Sequence, residues 1–198
     1  MGLNLFIIGV IVICVSMLWS EGFWSNSLSM INAIFAATLA SNYFEPVARF
    51  MDKQFPSLTY FWDFLSLWGL FAIFMLLLRI ATDMLSRTKV RFKLPVEQAG
   101  RAGFGLATGW VMACFFLFTV HTAPLARVSF GGAFQETPTS SNFFLSPDRL
   151  WLGYLQSRSD SVLSKSDKQV FDPKGEFVLK YGERRHIFED QPKLKVNR

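Results

Sequence analysis

Residues 64–78 read FLSLWGLFAIFMLLL, an uncharged run closed by Asp63 at one end and Arg79 at the other. Working outward, the runs 3–20 and 22–44 also carry no charge, and 102–122 carries only His121. At 1.5 Å per residue, about 20 apolar residues cross the hydrocarbon of a bilayer. The pattern predicts an all-α membrane protein with four transmembrane helices, at about 3–20, 23–44, 61–82 and 102–123.

Charge is scarce and unevenly placed. Only 18% of the 198 residues are charged, against roughly 25% in a soluble domain. Residues 1–123 hold 14 of the 35 charged side chains, and residues 124–198 hold the other 21. The chain divides near Pro124 into a transmembrane domain, 1–123, and a polar extramembrane tail, 124–198, expected to be partly disordered. The first run lacks Lys or Arg ahead of it and an Ala-x-Ala cleavage site, so it is expected to stay as a helix of the mature protein.

The net charge of +5 points to lipid rather than nucleic acid because of where it sits. Arg79, Arg87, Lys89, Arg91, Lys93 and Arg101 gather at the link between the third and fourth helices. Cytoplasmic links carry this bias beside anionic headgroups, and Arg87, Lys89, Arg91 and Lys93 are the headgroup candidates. That orientation puts the N-terminus and the tail outside the cytoplasm. Trp19, Trp24, Tyr43, Tyr60, Trp62 and Trp110 lie mostly near helix ends, as interfacial anchors do.

The second helix carries small residues at every fourth place: Ser25, Ser29, Ala33, Ala37 and Ser41. Residues i and i+4 share a helix face. In lipid, close packing of small residues draws helices together where burial of apolar area cannot. The fourth helix offers Gly105-x-x-x-Gly109, and the two smooth surfaces are expected to meet, within or between subunits. Asn32 and Thr38 lie inside the same helix; an unpaired amide in hydrocarbon costs several kcal/mol, so Asn32 is expected to bond across helices or line a substrate path. Arg79 and Asp83, at i,i+4 spacing, can pair. His121 reads as a wet interfacial histidine.

Catalytic and cofactor signatures are absent from the sequence. It has no His-Glu-x-x-His and no Gly-x-Ser-x-Gly, and the glycines at 100–109 lack the Gly-Lys-Ser/Thr of a phosphate loop. Asp63 and Asp83 stand twenty positions apart on one helix, about 30 Å, and cannot share a substrate. Cys14 and Cys114 read as small apolar residues with no metal spacing. No catalytic residue, metal or cofactor is expected, and His186 with Glu183 and Glu189 is the one clustered candidate, read as a solvated helix face.

The alternation from Thr88 to Pro95 predicts a strand, an extended interfacial stretch or a solvated charge run. In the tail, 131–142 reads as loop. Ser146, Pro147 and Asp148 open a helix over 147–158, 157–168 is polar and expected to be mobile, 171–175 is a turn, 176–188 is a second helix, and the last ten residues are expected to be disordered. Trp151, Tyr154, Leu155 and their neighbours make the tail a docking element rather than an independent core.

Glu21-Gly22-Phe23, the ending Ala40-Ser41-Asn42-Tyr43 and the opening Phe104-Gly105-Leu106-Ala107-Thr108-Gly109 together resemble the colicin V production protein family of bacterial inner-membrane proteins, over about residues 1–123. The resemblance implies a role in toxin production, export or envelope maintenance. It also implies charges that this chain lacks or changes: Asn4 stands for an acidic residue, Glu21 for Arg, Glu97-Gln98 for Asp-Arg, and Thr108 for Arg. The expected function is a non-enzymatic accessory or scaffold in the inner membrane, partnered by an export or envelope protein. A small oligomeric transporter or channel is the alternative, and it requires a wet interior at Asn32 and Thr38.

Overall fold

The structure is a computed structural model that describes residues 2–86, 90, 92–125, 146–160 and 171–190. The described residues are all helical in their regular structure: α1 (Gly2–Leu18), α2 (Phe23–Gln54), α3 (Trp62–Leu85), α4 (Leu94–Thr122), α5 (Pro147–Asp160) and α6 (Phe177–Glu189), with one tight turn at Pro56–Leu58. Arg87, Thr88, Lys89 and Arg91, the loop 131–142 and the last eight residues lie outside the described residues.

Two helices are long and apolar enough to cross a membrane: α3, with mean hydropathy 2.2 over its best window, and α4, with 1.8. The apolar run of α1, Asn4–Leu18, is shorter. At 32 residues, or about 48 Å, α2 has the length, but its hydroxyls, amides and charged last turns dilute it.

Three expected boundaries move. Helix α2 continues ten residues beyond 44, through Pro46, and Glu45 pairs with Arg49 one turn on at 2.9 Å. Proline removes one helical donor, and the i,i+4 pair bridges that gap. Helix α4 starts at Leu94 rather than 102, with Pro95 in its first turn, where a missing N–H costs nothing. Helix α5 runs to Asp160, so 157–160 is helix rather than the start of a mobile stretch.

Helix α4 lies along α1 on one side and α2 on the other, and α2 makes its most extensive contact with α3. The link 19–22 shares one end of the bundle with Ser86 and Phe92. The turn at 55–61 shares the other with α6. Inside the α1–α4 seam sit Ile7, Ala113, Leu117 and Val120. The main core joins Ala36, Ala37, Ala40 and Phe44 of α2, Leu67 and Phe71 of α3, and Cys114, Phe115 and Phe118 of α4 to Trp151 and Leu155 of α5 and Phe177, Val178 and Tyr181 of α6. The tail therefore completes the bundle's core instead of standing apart from it. Outward faces stay apolar: Leu5, Ile8, Val12, Leu76, Leu77 and Met84 are all more than half exposed, as lipid-facing side chains are.

Gly105 and Gly109 of α4 meet α1, not the α2 stripe. A Cβ on Gly109 would lie 3.0 Å from the Ile11 Cα, and one on Gly105 would lie 3.6 Å from the Val15 Cα. Gly100 is filled by the Phe23 ring, whose Cδ2 would lie 1.6 Å from an added Cβ. That ring cannot retreat freely, since it stands edge-on to Phe92 and Phe104.

Gly100→Ala is expected to destabilise the protein by about 1–3 kcal/mol through overpacking. Gly103→Ala, with nothing within 4 Å of the added methyl, is expected to be neutral or stabilising by up to about 1 kcal/mol. Thermal unfolding in detergent compares the two.

Candidate functional site

Polar groups collect at the two ends of the bundle. At the link end, Gly22 takes a left-handed turn, φ 91°, and aims Glu21 at α3. There the Arg79 guanidinium donates to both Glu21 carboxylate oxygens, at 2.7 and 3.0 Å, to the Ser29 hydroxyl at 2.9 Å and to Asp83 at 3.3 Å. Ser25 donates to Glu21 at 2.6 Å. Glu97 grips the turn between α1 and α2 by accepting from the Phe23 N–H at 2.9 Å and from Arg101 at 3.1 Å. Trp24 donates to Ser86 at 2.7 Å.

The predicted Arg79–Asp83 pair is present, but Arg79's strong partner is Glu21. Glu21 and Glu97, two acids that the resemblance marks as changed charges, carry the ion network. Sequence reading missed that network because no fixed spacing connects residue 21 to 79, or residue 23 to 97.

The small stripe of α2 splits in function. Ser25 and Ser29 serve Glu21 and Arg79. Asn32, 2% exposed, donates to Thr82 of α3 at 2.9 Å, a bond between helices. Ala33 and Ala37 are buried. Thr38 lies 3.5 Å from the Tyr154 hydroxyl, and Ser41 accepts from the Trp151 indole at 3.3 Å. The stripe thus admits α3 at one end and the tail at the other. Asn26, wholly buried one turn before Ser29, leaves both amide atoms without a partner among the described residues.

At the tail end the bundle offers acids and the tail brings cations. Asp63, 9% exposed at the start of α3, binds Arg184, which also donates to the Thr59 carbonyl and stands 5.5 Å over the Tyr60 ring. Glu45 of α2 takes Lys180 at 2.9 Å. His121 is buried at 1% exposure and bonds Asp148 at 3.0 Å, which corrects the expectation of a wet interfacial histidine: the tail covers it. Tyr60, His121, Thr122, Tyr181, Arg184 and Arg185 are among the residues lining a small cleft.

Burial pushes the Glu45 carboxyl up, but the hydrogen bonds and charges of Lys180 and Arg49 outweigh it and hold the group below its ordinary value of 4.5. Burial first, and then the charges of Asp63 and Glu45, push the Tyr181 hydroxyl well above its usual range, so it stays a proton donor. Asp172 opens α6 by accepting from the Glu176 and Phe177 N–H groups at 2.7 and 3.0 Å, as a capping carboxylate does.

Among the described residues no three of His, Cys, Asp and Glu gather as metal ligands. Glu183 and Glu189 are exposed on α6, and His186 is half-buried. Lys93 precedes the first residue of α4 in extended conformation. The other headgroup candidates, Arg87, Lys89 and Arg91, lie outside the described residues.

The model of the family described as Colicin V production protein matches residues 3–144, more than half of the chain. The chain belongs to that family. Neither the curated proteins nor the solved structures contain a match. The match holds α1 to α4 and ends before α5, so the two helices that complete the core, α5 and α6, lie outside it.

Docking of the tail is expected to depend on pH through Glu45. A carboxyl held below its ordinary value adds stability that is complete above that value and is lost as pH falls through the lower, docked value. Hydrogen-exchange protection of α6, corrected for intrinsic rate, is expected to be flat down to about pH 5 and to fall only slightly below about pH 4, because the Lys180–Glu45 pair is partly exposed. Glu45→Gln is expected to remove part of that fall.

Proposed function

We propose that this member of the colicin V production protein family is a multi-pass inner-membrane protein with a non-enzymatic accessory or scaffold role in toxin export or envelope maintenance. On this reading α1 to α4 all cross the bilayer. The basic link 79–101 meets anionic lipid in the cytoplasm, and the N-terminus and docked tail lie outside. Supporting the crossing of α1 is its seam with α4. Supporting that of α2 is its burial between two helices that pass the length and hydropathy test alone, so its hydroxyls face protein and not lipid.

One observation carries the scaffold reading furthest: Asn32, itself 2% exposed, is spent on a bond to Thr82 of the neighbouring helix. A conducting protein needs polar groups turned to a wet path. Here Ser25 and Ser29 are tied to Glu21 and Arg79, and Thr38 and Ser41 are covered by the tail. The interior polarity holds helices in place, which suits a rigid platform. The oligomeric transporter requires those same groups to be freed.

Photo-crosslinking from Leu179, exposed on α6, in native membranes is expected to capture a foreign envelope protein reproducibly. Recovery of nothing but other copies of the chain would replace the scaffold by the transporter. A thiol from Ser86→Cys should be reached by membrane-impermeant reagent from the cytoplasm only, and one from Ser157→Cys from outside only; both labelling from one side would refute the four crossings.

A further inference from the structure

The docked tail has a feature that core completion does not require. Helix α6 spaces Lys180 and Arg184 one turn apart, and each cation meets an acid on a different helix: Glu45 of α2 and Asp63 of α3. Between these contacts α6 lowers its aromatics into a groove. Phe177 stacks on Phe118 with ring centroids 4.9 Å apart, and Tyr181 packs on Phe177 at 4.7 Å. The groove's floor is Phe118, in the same buried core as Ala40, Phe44, Leu67, Phe71 and Phe115 and as Trp151 and Leu155 of α5.

The two kinds of contact do different work. Lys180 and Glu45 are 57% and 36% exposed in their side chains, so their pair adds little stability. The buried Phe177, Val178 and Tyr181 supply that. The acids discriminate: they accept a helix with cations at the right spacing and leave a buried Asp63 uncompensated under any other, a costly state. Every floor and rim residue falls within the family match at 3–144, while α6 falls outside it. The groove is thus part of the family bundle, and its occupant is not.

We propose that the groove between α2, α3 and α4, rimmed by Glu45 and Asp63, is a docking port for a basic amphipathic helix of a partner envelope protein, and that α6 keeps the port closed until such a helix replaces it. The partner helix presents an aromatic residue, cations three and seven positions later, and a second aromatic at the fourth, the pattern of Phe177, Lys180, Arg184 and Tyr181. The proposal rests on the scaffold reading and names the surface that it uses.

The test uses the full chain in lipid nanodiscs, with Cys14→Ala and Cys114→Ala removing the native thiols and Thr122→Cys reporting from the cleft under Arg184 and Tyr181. Thr122 is 2% exposed, so maleimide labelling is expected to be slow. Lys180→Glu with Arg184→Glu should speed it at least about tenfold by releasing α6. A synthetic peptide of residues 171–190, at about 100 µM, should then restore protection, and the same peptide carrying both charge reversals should not.

Adding Glu45→Lys and Asp63→Lys to the released chain should re-close the port in cis, which separates a lost docking code from a lost fold. Unchanged labelling on charge reversal, equal protection by both peptides, protection by neither, or failure of the four-charge swap overturns the proposal. Labelling that slows with chain density in the bilayer would assign the port to a second copy's α6 and also overturn it. Because the readout uses purified chain and peptide, its failure leaves capture of a foreign protein in native membranes undecided, and the reverse holds too.

Discussion

Helix α2 is flanked by α3, α4 and the tail at once, and the rest of the structure depends on how little its buried face carries. From Asn26 to Ser41 that face holds only Ala, Ser, Asn and Thr. On the proposed four-crossing reading, lipid supplies no drive to hide apolar area between helices, so close approach and interhelical bonds hold them. Small side chains allow the approach, and their hydroxyls and amides reach groups on the neighbours. Phe44 begins where the face widens into the groove that receives Phe177 and Tyr181.

The charges obey the same constraint. An ion in a poorly hydrated place is costly unless paired. At one end Arg79 satisfies Glu21, Ser29 and Asp83 together; at the other Asp63 and Glu45 are met by α6. The tail end also gains what lipid cannot give. On the proposed reading α5 and α6 lie beyond the hydrocarbon, where burial of Trp151, Leu155, Phe177, Val178 and Tyr181 draws on the full hydrophobic effect, roughly 1.5–3 kcal/mol for each large side chain. This explains how a tail without a core of its own is held firmly by a bundle.

Helix identity was legible in the sequence because it is written locally. Uncharged runs mark α1, α3 and α4; the small stripe marks the buried face of α2; Pro147 and the turn at 171–175 mark the starts of α5 and α6. Partnership was not legible. The α4 glycines looked complementary to the α2 stripe, yet they face Ile11 and Val15, since a smooth surface accepts any helix. Glu21 looked like a loss relative to the family and serves as the anchor of Arg79. His121 looked wet because the 27 residues separating it from Asp148 give no hint that the tail folds back. Helix ends were misjudged where charge was taken as a stop: Glu45–Arg49 and Glu97–Arg101 pair along their own helices and carry them further.

The bundle is a platform that spends Glu21, Ser29, Asn32 and Arg79 on its own assembly, with a groove at one end that this chain fills itself. The platform exists only if α2 must stay slender. Thermal unfolding of Ala40→Leu in detergent, set against Phe35→Leu on the exposed face, tests that requirement most directly. Ala40 is fully buried and Phe35 is 55% exposed. The account predicts that Ala40→Leu lowers the midpoint by about 2–10 °C while Phe35→Leu leaves it nearly unchanged; equal tolerance of both would contradict it.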